Sequence, residues 1–327
     1  MTPLRTRRHL LAACAAATAA LAGLAPAPAA AWTDKPVRLV VPAPAGGTMD
    51  VVARVLAEQL SADLGQPVIV DNKPGGGGVI GIQALLQAPA DGQTLMVTAS
   101  NVLTEIPHVI RTPYDALKDV RPIAAIARST MVLVGAPGFA PADLKAVIEN
   151  ARANKGLSFA SYSTGTASHY AGMILAQKAG IELTHVPFQG SPPALQQVMG
   201  GHIPIMFDGM ATSLPLVRGD KIKAYAVASR ARSPYLPNVP TFTELGYPEM
   251  DFSNWIGVVS SAQLPGALAE KINAAVLKAA AAPKLRDRLT AAGFEVGITL
   301  SSDALAQAVR AESDRNAAIV KASDIKL

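Results

Sequence analysis

Three stretches of small polar residues could do chemistry in this chain, and the chemistry is that of holding an anion without a cation. Ala45-Gly46-Gly47-Thr48, Ser163-Thr164-Gly165-Thr166 and Gly190-Ser191 each stand between a strand-like run and a run with helical spacing. The first amides of a helix have no partner within it, and the helix dipole is positive at that end. Bare amides there make a ready anion site. Hardly any Lys or Arg lies in these stretches. A carboxylate would therefore be met by amides and hydroxyls, whose fixed geometry gives selectivity. Each stretch alone also suits an ordinary strand-to-helix turn. Their recurrence in both halves of the chain favours the ligand.

Further candidates flank these loops. Thr48 stands at an expected helix N-cap, and Asp50 in the first turn, where a carboxylate suits the dipole. Ser100 and Asn101 close a strand-like run. His169 falls in the first turn of a helix beside Thr164-Gly165-Thr166, where it either lines the site or packs in the core. Asp208, at a strand end, either faces a ligand amine or hydroxyl or caps a turn. His185 and Trp255 read as core or cleft-edge residues.

Other chemistries lack their signatures. Gly76-Gly77-Gly78-Val79-Ile80-Gly81 matches a dinucleotide fingerprint, but Ser100-Asn101 stand where the ribose-binding acid belongs. Lys73 is followed by Pro74, so there is no P-loop, and there is no G-x-S-x-G elbow. His108, His169, His185 and His202 show no metal-ligand spacing. The sequence calls for no metal, no cofactor and no catalytic set.

Residues 1–31 read as an export signal. Arg5, Arg7 and Arg8 precede an uncharged, alanine-rich run over 10–24, and Ala27-Pro28-Ala29-Ala30-Ala31 offers a cleavage site before Trp32. The run is shorter than the roughly 20 residues of a membrane span. Thr6-Arg7-Arg8-His9-Leu10-Leu11 resembles a twin-arginine signal, a loose motif that leaves the route open. Without these residues the formal charge falls from +5 to +2, since three Arg and no acid are removed. No basic run is left to suggest nucleic acid. Cys14 is the only cysteine, so residues 32–327 have neither disulfide nor thiolate.

The elements that must position these loops alternate. Strands are expected over 37–41, 66–71 and 94–98, with helices from 48 and near 80–87. The pattern restarts at 144 with strands over 157–161, 183–186, 203–207 and 223–228, separated by helices. Apolar runs at 123–134 and 255–260 read as crossovers between two domains, and 265–322 as helical. The last helix is expected to be capped by Ser301 or Ser302 and to turn Leu305, Val309, Ile319 and Val320 inward. Such alternation gives an α/β fold with mostly parallel sheets, whose ligands sit beyond the carboxyl ends of the strands.

The stretch Trp32-Thr-Asp-Lys-Pro-Val-Arg-Leu-Val-Val-Pro-Ala-Pro-Ala-Gly-Gly-Thr-Met-Asp50 resembles the start of the Bug-family proteins. These are the extracytoplasmic solute receptors of tripartite tricarboxylate transporters. The likeness continues through Asp71-Asn-Lys-Pro-Gly-Gly-Gly-Gly-Val-Ile-Gly81, Tyr162-Ser-Thr-Gly-Thr-Ala-Ser-His169, His185-Val-Pro-Phe-Gln-Gly190 and Arg232-Ser-Pro-Tyr-Leu-Pro-Asn-Val-Pro-Thr241. It implies a two-domain periplasmic-binding-protein fold of type II with a hinge of two crossing strands. Domain 1 would be 32–130 with 256–327, and domain 2 would be 131–255.

The resemblance also implies a small carboxylate ligand (a di- or tricarboxylate, an amino acid or an aromatic acid), permease subunits as partners, a monomeric receptor and a periplasmic location. The grip falls on Ala45 to Thr48, on Ser163 to Thr166 and on Gly190-Ser191, flanked by Ser100 and Asn101. Three positions depart from the family pattern. Ala43 replaces a common aromatic residue, and Phe188-Gln189 replaces Tyr-Lys, losing a hydroxyl and a positive charge. Together they point to a less charged or bulkier acid. Rival functions are a sensory receptor feeding a membrane kinase and an exported hydrolase of small esters.

Overall fold

The computed structural model describes residues 32–298 and 300–322. The expected export signal and the inward side chain of Ile319 lie outside what it describes. Apolar β-branched runs form the strands, and helix-period segments cover them. The chain begins with β1 (Val37–Val41), α1 (Thr48–Leu64), β2 (Val68–Asn72), α2 (Val79–Leu86) and β3 (Thr94–Ala99). Short helices α3 (Asn101–Thr104) and α4 (Ala116–Asp119) lead to β4 (Val120–Gly135). There follow α5 (Leu144–Ala153), β5 (Leu157–Ser161), α6 (Ala167–Ala179), β6 (Leu183–Pro187), α7 (Ser191–Met199), β7 (Ile205–Gly209), α8 (Met210–Arg218) and β8 (Lys223–Ala228). The chain then returns through β9 (Ser253–Ser261), α9 (Gly266–Ala281), α10 (Pro283–Ala291), β10 (Glu295–Val296) and α11 (Ser302–Ala322).

The strand order β2-β1-β3-β9-β4-β7-β5-β6 resolves into two sheets that share β4. In the first lobe β1 lies between parallel β2 and β3, and β9 runs antiparallel between β3 and β4. From Met131 onward β4 leaves β9 and pairs instead with β7 and β8 of the second lobe. There β5, β6 and β7 are parallel. Both expected crossover runs are strands, but only β4 enters both sheets. β9 begins at the junction, with Ser253 opposite Thr130.

Each lobe has its own core. Leu39, Leu56, Leu60 and Ile272 are among the fully buried residues of the first, and Phe159, Phe207 and Phe242 among those of the second. Burial of each such side chain is worth about 1.5–3 kcal/mol. Ser301 Oγ accepts the Ala304 amide at 3.2 Å, as expected of a cap, whereas Ser302 Oγ donates to Pro122 O. Leu305 and Val309 of α11 are buried, while Val320 near its end is half-buried against the core of the second lobe. α11 therefore lies across both lobes.

Candidate functional site

In the first lobe, the loop between β1 and α1 is fixed from behind. Gly46 takes φ +78°, a backbone state open to glycine, and donates its amide to Asp50 Oδ2 at 2.8 Å. Arg54 Nε donates to the same oxygen at 2.8 Å, and Asn72 Nδ2 donates to Asp50 Oδ1 and to Ala43 O, each at 2.9 Å. Burial opposes the charge on Asp50, but these donors outweigh it and hold the carboxyl below its usual range. Asp50 is 1 % exposed and takes no part in the cavity wall. The cap is Gly47, with no side-chain hydrogen bond, and Thr48 is the first helical residue rather than the N-cap. The first intrahelical bond is Val51 N–H to Gly47 O, so the amides of Thr48 and Met49 have no partner within the helix.

The second lobe uses different anchors. His169 and His185 stack with centroids 3.7 Å apart, under the loop that follows β5. His169 Nδ1 accepts the Gly165 amide at 3.2 Å, and His185 Nε2 lies 2.6 Å from Ser161 Oγ. Burial pushes both imidazoles down to about 4, with His169 adding to the effect on His185. Thr166 caps α6 with extended backbone, and its hydroxyl donates to Ser163 O at 2.7 Å. Asp208 is fully buried and accepts hydroxyl hydrogens from Ser191, Thr212 and Ser213. Burial pushes its carboxyl up against the pull of those donors.

Between the lobes lies a cavity of about 330 Å³, the size of a small-molecule site. Five helix starts border it: Gly47 and Thr48 of α1, Gly78 of α2, Thr166 of α6, Gly190 and Ser191 of α7, and Gly209 of α8. Each helix start carries roughly half a positive charge. None of the lining residues is Lys, Arg, His, Asp or Glu. Ser129 and Met131 of β4 and Asn254 and Ile256 of β9 complete the wall, with Ala43, Met49, Val102 and Phe188 as apolar surface. The lobes meet at its rim, where Gly190 approaches the Pro44 ring so closely that an added Cβ would lie 2.2 Å from Cγ. Among the described residues no group of three or more His, Cys, Asp or Glu could hold a metal ion.

Of the residues expected from sequence, Gly47, Thr48, Asn101, Ser163, Thr164, Thr166, Phe188, Gly190 and Ser191 line this cavity. Seven do not. Ala45 and Gly46 turn outward on the exposed part of the loop. Asp50, His169 and Asp208 spend their polar atoms holding the loops from behind, and the Gly165 amide is taken by His169. Ser100 Oγ is 2.7 Å from Glu312 Oε1 and 3.1 Å from Asn254 Oδ1, buried beneath the wall. Sequence reasoning missed Gly75 to Gly78, Tyr162, Ser129 and Asn254. The glycine run was the one available signal, and it matched a dinucleotide fingerprint without the acid that such a site needs.

The model of the tripartite tricarboxylate transporter family receptor matches residues 52–325. Protein BugT of Bordetella pertussis is 36 % identical over 250 residues, covering 75 % of each chain. Two solved structures are similar over almost their whole length. MatC of Rhodopseudomonas palustris, with malate bound, is 30 % identical with a TM-score of 0.83 over 88 % of this chain and 99 % of that one. Rpa4515 of R. palustris, with adipate, is 29 % identical with a TM-score of 0.86 over 90 % and 99 %. The two lobes, the shared strand and the cavity between them are thus the two-domain architecture of a periplasmic binding protein, and the chain belongs to the tripartite tricarboxylate transporter receptor family.

Proposed function

We propose that this chain works in the periplasm as a monomer, closing its lobes on a small carboxylate and delivering it to the membrane permease of a tripartite tricarboxylate-type transporter. The observation that carries this reading is the set of five helix starts around one cavity with no charged side chain in its wall. Such a wall favours an anion through fixed dipoles, and a neutral wall lets it leave again without breaking an ion pair. Gly47, Thr48, Asn101, Ser163, Thr164, Thr166 and Ser191 are the proposed contacts. Residues 32–130 with 256–327 would move against 131–255 about the point where β4 changes partners. The malate and adipate held by similar proteins support the ligand class.

Ala43, Phe188 and Gln189 all line the cavity, which supports an acid with a sizeable apolar body. A hydrolase is disfavoured because the Ser161–His185 contact lies below the loop and neither residue lines the cavity. The test is a thermal-shift screen of residues 32–327 against aliphatic, amino and aromatic acids, with uncharged amides as controls. An acid at 100 times its Kd stabilises the fold by about 2.7 kcal/mol, a shift of several degrees. If no acid shifts the melt even after unfolding and refolding to strip bound ligand, the carboxylate reading is wrong.

A further inference from the structure

Glu105 follows α3 in the first lobe and is 7 % exposed, although it lines no part of the cavity. It faces the second lobe, where the Ala167 amide at the start of α6 is near enough to favour its charge. Its Oε2 has no hydrogen-bond partner among the described residues, and Glu105 makes no ion pair within 4.0 Å among them. A buried carboxylate with a free oxygen and no paired cation is costly, and the same group carrying a proton costs much less.

The charged and titratable groups around it are few. From α11 come Glu312, whose like charge opposes ionisation, and Arg315, which favours it. Glu312 Oε1 accepts from Ser100 at 2.7 Å and from Thr104 at 3.0 Å, so it is fixed in place. From the second lobe come the phenols of Tyr162 and Tyr170, which sense the same carboxyl. On its own segment His108 is engaged with Ser313 at 2.8 Å. Burial first, and then Glu312, push the Glu105 carboxyl up to about 8, and Arg315 and the Ala167 amide offset only part of this.

Opening the cleft would separate Glu105 from α6 and return it to water, where a glutamate ionises near pH 4.3. We propose that Glu105 is a proton-dependent latch: the lobes close over it only in its protonated form, so closure takes up a proton. The inference rests on the hinge motion proposed above, not on the identity of the ligand. The sign follows from linkage. Below the open-state value the carboxyl is protonated in both states and closure is unopposed. As pH rises through the interval to about 8, closure weakens by up to tenfold per pH unit.

Spin labels on Ala62→Cys in α1 and Glu149→Cys in α5 would report the distance between lobes, because residues 32–327 contain no other cysteine. The expected result, without ligand, is an open fraction that grows from pH 5 to 8 in the parent chain and is flat in Glu105→Gln. Glu312→Gln, which leaves Glu105 in place, should give a smaller open fraction at pH 8 than the parent chain. It does so because Glu312 raises the Glu105 pKa in the closed form, so removing its charge makes the ionised carboxyl easier to close over; an open fraction at pH 8 equal to or larger than that of the parent chain overturns the latch. A distance that shifts with malate, adipate or another acid of the panel but not with pH overturns the latch alone. A distance unmoved by acids and pH alike overturns the hinge as well.

Discussion

The two walls of the cavity perform the same task with opposite electrostatics. In the first lobe a charged Asp50 holds the loop, helped by Arg54, whose side chain is 53 % exposed. In the second, Asp208 is buried with hydroxyls as its only side-chain partners, and two neutral, stacked imidazoles support the neighbouring loop. A wall pinned by an ion pair open to solvent tolerates change, because water can replace a lost partner. A wall pinned by buried neutral contacts cannot be repaired in that way. The second lobe is therefore the more brittle of the two.

The sharpest way to break this comparison is to delete each carboxylate. Asp208→Ala strands the buried hydroxyls of Ser191 and Ser213 and leaves a void, so it should cost about 3–4 kcal/mol, read as a drop of many degrees in melting temperature. Asp50→Ala should cost about 1–2 kcal/mol, because Arg54 and Asn72 can turn to water. Equal losses would refute the contrast.

The glycines give a second pair. Gly190→Ala places a Cβ 2.2 Å from the Pro44 ring at φ +111°, whereas Gly46→Ala meets nothing nearer than Pro192 Cγ at 3.9 Å. The first should abolish the thermal shift given by any acid that stabilises the parent chain, a loss of roughly 100-fold in affinity, since it blocks closure. The second should weaken binding only through backbone strain, about tenfold.

Acid should loosen the walls in order. His169 and His185 are held near 4, below the unfolded value of about 6.5, so the stability they leave intact at neutral pH is lost as pH falls from about 6.5 through 4. Protonated Nδ1 of His169 can no longer accept the Gly165 amide. The depressed Asp50 keeps its contribution until pH falls below the ordinary carboxylate range. Hydrogen exchange should therefore show the Gly165 amide losing protection before that of Gly46, and His169→Gln should remove part of the difference. The smallest effect is one of preference. Ala43→Phe with Phe188→Tyr should favour smaller acids by a few fold in the thermal screen, with little change in the melt of the free protein.

Much of this architecture was legible because the period of apolar residues changes sharply between strand and helix, as from Val37 to Leu60. The loop starts were legible for the same reason: Gly47, Thr48, Thr166 and Ser191 sit where the period changes. What a side chain does there was not. Asp50, His169 and Asp208 occupy positions from which they could face either a ligand or the loop behind, and only the fold decides between them. Ser129 and Asn254 were invisible because they come together only through the antiparallel pairing of β4 with β9. Gly75 to Gly78 offer backbone alone, and a sequence pattern shows side chains.

The placement of β9 also fixes an order of events as the chain is made. Strands β5 to β8 and the second half of β4 are supplied by one uninterrupted stretch, so the second lobe has all its sheet once Ala228 is available. The first lobe must wait for Ser261, since β9 is inserted between β3 and β4. Long-range pairing of this kind is slow to form. Until it does, β3 and β4 each present an unpaired edge, open to mispairing. The lobe that begins the chain is the last to be finished.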